Sequence, residues 1–327
     1  ADHNDDNDVG TLLLTAYPDR LAARAGSDPL RYKLAVGGGV RLPEGDALQG
    51  SPFLAVAGMD AGHRDGRLYT AAAVSVQAVE QRLGPHLQRV SEVIWQDNAV
   101  RAKQLVRYGA VTLEQKALKE VDPDDVRTAL LQGIRQKGLE VLPWSRDARQ
   151  WRLRLISLRQ WQPDAGWPDF SDKALLDELE QWLGPWLDGM SRLDHLQRLD
   201  MLGILKSRLD WDRQQQVEQL APTHLQVPSG SRKRLEYKPG ELPVLAVRLQ
   251  EMFGLHDTPT ICRGKVPVMV HLLSPAQRPV QVTRDLRGFW QRTYQDVKKE
   301  LKGRYPKHYW PDDPFTATPT AKVRPNR

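Results

Sequence analysis

Cys262 is the only cysteine in 327 residues, so no internal disulfide can form and no thiolate cluster can hold zinc. A reducing, cytoplasmic setting is the expectation that follows. Long apolar runs are missing too. Nothing approaches the roughly 20 residues needed to cross a bilayer, and no secretory leader is visible. The eight histidines form no HExxH or HxH pair, which leaves no recognisable metal site. No GxxxxGK[ST] loop, DEAH-like box or arginine-finger motif occurs, so these residues are not expected to hydrolyse ATP by themselves.

Other catalytic signatures are equally thin. Gly37-Gly38-Gly39 lacks a following Lys-Ser/Thr and reads as a turn. Ser229 lies near His224 without the G-x-S-x-G elbow, and Thr223-His224 reads as a local hydrogen-bonded turn. Cys262 has Arg263 beside it and Lys265 close by, which would lower a thiol pKa, but its apolar flanks read as an inert strand position. The acid pairs at 5–6, 124–125 and 312–313 sit at a terminus, a helix start and a proline-rich segment, where solvation or capping is the usual role.

What is there is a chain 40% apolar and 27% charged, long enough for two or three domains with real cores. Its formal net charge is +6. From Gln281 to the end stand eleven Lys or Arg against five acids, an excess equal to that of the whole chain, so the basicity has a location. There Val280 and Val282 alternate with polar neighbours as a strand would, and Asp285 can cap a helix whose apolar face holds Leu286, Phe289, Trp290, Tyr294 and Val297. The other face carries Arg287, Arg292, Lys298, Lys299 and Lys302, either as a solvated side or, with Arg284, as a phosphate surface. Beyond Gly303, Tyr305, Lys307, Tyr309 and Trp310 interleave rings and cations between prolines. These rings either pin the segment down or stack on unpaired bases, whereas Trp290 reads as core.

Upstream, Thr11 to Ala25 reads as the closing helix of a domain, after an acidic lead-in without structure. Short strands follow from Leu30 to Lys116, including a hairpin about Gly37 to Gly39 and one helix at Ser75 to Leu83, a pattern that suggests a small barrel. In the strand Ala99 to Tyr108, Arg101, Lys103 and Arg107 share one face. That row either contacts phosphates or is a solvated face balanced by Glu92 and Glu114. From Asp122 to Leu220 the chain reads as helical, and seven of the ten tryptophans fall there beside leucines at helical spacing, as core. After Ala221-Pro222 come two strands with turns, a helix over Val244 to Phe253, an apolar strand at Val266 to Leu273, and the basic stretch. The fold class expected is multidomain α+β: residues 1–26 a lead-in and terminal helix, 27–120 a β-barrel, 121–220 helical, 221–311 a small α/β unit, and 312–327 a disordered tail.

Three motifs in the basic stretch, Val282-Thr-Arg-Asp-Leu286 with Phe289-Trp290, Lys299-Glu-Leu-Lys-Gly-Arg-Tyr-Pro-Lys-His308 and Trp310-Pro-Asp-Asp-Pro314, resemble the end of the HrpB family of bacterial DEAH-box ATP-dependent RNA helicases. Similar matches lie at Ala221 to Ser231, Pro243 to Gly254 and His271 to Pro275. The resemblance implies an OB-like barrel, a beginning of the chain inside a longer protein, and two RecA-like domains before residue 1 that would use ATP and Mg. No cofactor or metal is expected on this chain itself. Single-stranded RNA, or DNA in its place, and the RecA-like domains are the expected partners. The other readings are a protein-docking or membrane-surface module and a regulator of the motor without RNA affinity of its own.

Overall fold

Prolines and the spacing of apolar residues decide where this chain changes from helix to strand. The computed structural model describes residues 3–60 and 65–325, with side chains from Val9 onward. The chain divides into two compact units, Ala1–Gly133 with Gly189–Arg192, and Ile134–Asp188 with Leu193–Arg327.

The first unit opens with α1 (His3–Ala16), a 3-10 turn at Pro18–Arg20, β1 (Leu21–Arg24), β2 (Arg31–Leu34), β3 (Gly39–Arg41), β4 (Phe53–Met59) and β5 (Asp65–Ala73). Then come α2 (Val76–Leu83), β6 (Gln88–Gln96), β7 (Ala99–Tyr108), β8 (Val111–Ala117) and α3 (Pro123–Lys137). The helix expected over Thr11 to Ala25 stops at Ala16, because Pro18 has no N–H to continue it and disfavours helical geometry at Tyr17. The lead-in expected to lack structure joins α1 from His3, and residues 1–2 lie outside the described residues. The freed segment Leu21-Ala-Ala becomes β1, which pairs with β2 on one side and β4 on the other. That strand closes a five-stranded barrel of order β1-β2-β3-β5-β4. The single barrel expected over 27–120 is therefore two structures. It closes within 21–73, while β6, β7 and β8 form a separate antiparallel sheet. β6 lacks the inward alternation of a barrel strand, and α2 with the Gly84–His86 turn separates it from β5.

Two cores sandwich the barrel wall. Inside lie Ala22, Tyr32, Leu34, Val40, Leu54, Val56 and Leu68. Leu21, Ala23, Phe53 and Ala55 point outward from β1 and β4 and are covered by Leu14 of α1 and Val79 and Leu83 of α2. Ser75 caps α2 by accepting from the Ala78 N–H. α3 belongs mostly to this unit: a Cβ on Gly133 would fall 2.2 Å from the Trp95 ring, so only glycine lets the helix lie against β6.

The second unit contains α4 (Arg146–Trp161), α5 (Asp172–Asp177), α6 (Leu179–Trp182), α7 (Met201–Lys206) and α8 (Trp211–Leu220). They are followed by β9 (His224–Gln226), β10 (Arg232–Glu236), β11 (Val244–Arg248), β12 (Thr260–Ile261), β13 (Val266–Pro267), β14 (Met269–Leu273), β15 (Pro279–Thr283), α9 (Leu286–Arg292) and α10 (Tyr294–Arg304). β15-β14-β11-β10-β9 form one sheet in which only β11 and β14 run parallel. The helix expected over Val244 to Phe253 is instead β11 and a 3-10 turn, since Leu245 and Val247 bury on a period of two. Within the stretch expected to be helical, Leu193–Arg198 is a 3-10 segment, and Asp200 caps α7 by accepting from the Gly203 N–H. Arg154 is buried at the end of α8, where it donates to the Ala221 and Val217 carbonyls and pairs with Glu218 at 2.9 Å. It thereby satisfies the Ala221 carbonyl beyond the helix end and adds a second donor to Val217 O, which already accepts from the Ala221 N–H.

The tail also departs from expectation. Pro314, Ala317 and Thr320 are buried, Thr320 N–H donates to Gln250 O, and Arg248 donates to Ala321 O, so the described part of 312–327 is packed rather than disordered.

Candidate nucleic-acid interface

Strand register builds a cationic row on the barrel. β2 buries Tyr32 and Leu34 and turns Arg31 and Lys33 outward, β3 turns out Arg41, and β5 turns out Arg67 and Tyr69. Arg31 stands directly opposite Arg41, and Arg41 opposite Arg67, so three arginines line up across three neighbouring strands. α1 and α2 cover the wall at β1 and β4, whereas these residues lie exposed. Tyr69 ends the row with 64% of its surface accessible and the Arg67 guanidinium 5.9 Å from its ring.

Acids hold the row in place. Arg31 pairs with Asp65 at 3.0 Å and Arg41 with Asp28. The Asp28 carboxyl is held below its ordinary range by the Leu30 N–H and then by Arg41. Asp60 accepts from the Arg67 N–H and the Tyr69 hydroxyl, and both lower its pKa, while the Asp60 carboxylate pushes the phenol up. Lys33 forms no ion pair among the described residues. Exposed pairs of this kind contribute about 0–1 kcal/mol each, so a phosphate can take over such a guanidinium at little cost. Composition concealed this row, because its cations are balanced locally. The alternation in Arg31-Tyr-Lys-Leu34 is the signal that could have found it.

The row on β7 is less continuous than its spacing implied. Arg101 is exposed opposite Ile94, and Lys103 and Arg107 are half-buried. Leu105, between them on the same face, is only 3% exposed, so a buried leucine interrupts the cations. Lys103 sits across from Glu92, and Arg107 lies 3.6 Å from the same carboxylate.

In the C-terminal stretch Asp285 caps α9 through the Gly288 N–H, but a break at Thr293 divides the expected helix into α9 and α10. Arg287 makes a bidentate pair with Asp257 at 2.9 and 3.0 Å, and Arg292 pairs with Asp285 at 2.8 Å. Arg287 holds the Asp257 carboxyl below its usual range, and the Gly288 N–H followed by Arg292 does the same for Asp285. Arg284 is exposed and unpaired among the described residues, as are Lys299, Lys302 and Lys307. The rings serve the core. Trp290 and Tyr294 are buried against Phe253, Tyr309 meets Phe253 edge-on at 6.0 Å, and Trp310 is 9% exposed with its indole N–H on the Tyr305 carbonyl. Tyr305 is half-buried beside His308. The structure therefore keeps Arg284 and Lys307 free on the surface, and separates them from Tyr309 and Trp310, which are packed inward.

The weak catalytic candidates find structural uses. Ser229 donates to the buried Glu251 carboxylate, which Lys233 neutralises at 2.7 Å, and the His224 ring meets the Thr223 hydroxyl. Burial pushes the Cys262 thiol up despite Lys265 and Arg263, so it is not an activated nucleophile. Among the described residues no helix is long and apolar enough to cross a membrane.

A family model for the C-terminal part of ATP-dependent helicases, HrpB_C, matches residues 182–314. The chain is 42% identical over 320 residues to the ATP-dependent RNA helicase HrpB of Escherichia coli K12, a match covering 97% of the chain and 39% of that protein. Two crystal structures from E. coli are similar. The one described as a DExH-box NTPase HrpB matches with a TM-score of 0.62 and 42% identity over 95% of this chain and 39% of its own. The other, described as a DEAH/RHA helicase HrpB, matches at 0.54 and 40%, covering 92% and 38%. The chain thus spans about two fifths of the length of these relatives.

Proposed function

Because this chain is the C-terminal region of an HrpB-family protein, we propose that it binds and guides single-stranded RNA, or DNA in its place, beside a RecA-like motor. That motor would hydrolyse ATP with Mg in the cytoplasm, using a phosphate loop and acids that this sequence lacks. The strand leaving the motor would run over this region, held by phosphate contacts and base stacking, so that each motor step becomes net movement along the RNA.

The observation that carries this reading is the open barrel wall, where Arg31, Arg41 and Arg67 stand in register beside an exposed Tyr69. We read the barrel as OB-like. Five strands closing with β3 parallel to β5 support that reading, and OB folds take oligonucleotides across their second and third strands. Cations that follow a phosphate backbone next to a ring that can stack on any base make a sequence-tolerant single-strand surface. Arg284, Arg287, Arg292 and Lys307 on the C-terminal unit, and Arg101, Lys103 and Arg107 on β7, add phosphate contacts. Tyr305, Tyr309 and Trp310 add stacking only where their packing yields.

One feature favours a docking role: α1 leaves Val9 and Leu12 exposed, and Tyr17 just beyond its end is exposed as well. Fluorescence anisotropy of a labelled single-stranded RNA across a salt series separates the readings. RNA binding that weakens steeply with salt supports the guide; absence of binding at low salt leaves docking or regulation of the motor.

A further inference from the structure

Wholly within the second unit lies a groove of about 510 Å³ that neither the sequence motifs nor the barrel wall explains. One side comes from the end of α4, where Pro163 stops the helix and Gly166, at φ +68, turns the chain back to Trp167. Trp161 lines this side, and the buried Trp167 donates its indole N–H to Gln162. Arg213 from α8 stacks 4.8 Å from the Trp167 ring and donates to the Ala165 carbonyl at 2.9 Å, which fixes one cation in the wall.

The opposite side is the β12–β13 hairpin. Cys262 is buried and its N–H donates to Leu220 O, which ties the hairpin to the end of α8. Cys262 and Arg263 both adopt left-handed backbone, at φ +52 and +56, a conformation disfavoured for residues with side chains. The strain presents Arg263 and Lys265 to the groove, exposed and without an acid partner among the described residues. Asp164 is the only acid in the lining, against three cations.

We propose that this groove takes one unpaired nucleotide of a single-stranded RNA, with its base against Trp161 and its phosphate between Arg263 and Lys265. The volume lies in the range of small-ligand sites, and an indole beside unpaired cations is the combination that holds a base and its phosphate. Gln162 and Gln216 direct their carbonyl oxygens to Trp167 and Arg213. Their amide NH2 groups remain as donors, which suits the carbonyl edge of a pyrimidine such as uracil. The proposal rests on the RNA-guide reading and gives the helical layer a part in it.

The test titrates a labelled oligouridylate with the 327-residue protein across a salt series, beside an Arg263→Asn/Lys265→Gln variant. Asn tolerates the left-handed position, so the hairpin keeps its shape. Loss of the phosphate held between the two cations should lower affinity about tenfold and reduce the log–log salt slope by about 0.7. A separate Trp161→Leu variant keeps an apolar wall and should lose affinity for oligouridylate while leaving binding to an abasic oligomer of equal length unchanged. Wild-type binding with variants indistinguishable from it would overturn the groove and leave the guide standing. No wild-type binding at low salt would overturn the guide as well.

Discussion

The barrel wall and the C-terminal unit are both cationic, but they use their rings in opposite ways. On the barrel, Tyr69 stands in solvent and the arginines are spaced by strand register. In the C-terminal unit Trp290, Tyr294 and Trp310 are buried, although Arg287 and Arg292 are held by Asp257 and Asp285 much as Arg31 and Arg41 are held by Asp65 and Asp28. An excess of positive charge therefore marks where RNA would be attracted; exposed rings and fixed spacing mark where it would be held.

The largest expected effect probes the buried side of this contrast. Trp290→Ala should destabilise the protein by about 3–5 kcal/mol, as loss of a packed aromatic does, and chemical denaturation would measure it. Tyr69→Ala should change stability by less than about 0.5 kcal/mol, since its ring is exposed. The same substitution should weaken RNA binding by about 1–2 kcal/mol through lost stacking, with Tyr69→Phe retaining most of the affinity in the anisotropy titration. A Tyr69→Ala protein that binds as well as wild type would remove the stacking half of the comparison.

Smaller effects are expected from the clamped arginines. Arg287→Ala should leave stability nearly unchanged and alter RNA affinity by less than about threefold, because the neighbouring rings Phe289 and Trp290 are buried and cannot hold a base beside it; a larger loss would mean that RNA displaces Asp257. The Asp257 carboxyl, lowered by Arg287, should give the smallest signal. A depressed acid stabilises the fold above its unfolded pKa of about 3.9 and loses that contribution as pH falls through the lower folded value. Asp257→Asn should accordingly flatten the acid limb of the melting temperature against pH and leave neutral pH nearly unaffected.

Much of the architecture was legible from particular residues. Asp285 caps a helix as its position implied, the helix expected over Ser75 to Leu83 is α2, and the motifs between Ala221 and Pro314 pointed to the family. Val244 to Phe253 misled because valines and leucines fit both periods at that length, and only pairing with β14 decides between them. β1 was hidden because three apolar residues after a helix carry no strand signal until β2 and β4 flank them. Of the arginine row only the outward face of Arg31 and Lys33 was legible from alternation; Arg41 and Arg67 are far from it in sequence and join it only through register.

The most direct test is an Arg31→Ala/Arg41→Ala/Arg67→Ala protein titrated into labelled single-stranded RNA across a salt series, beside the wild type. Three lost phosphate contacts should cut affinity by about 10- to 100-fold and reduce the log–log salt slope by about 2, with unfolding unchanged to within about 1 kcal/mol. Unchanged affinity and slope in that variant, with the wild type binding tightly, would contradict the barrel wall as the RNA surface.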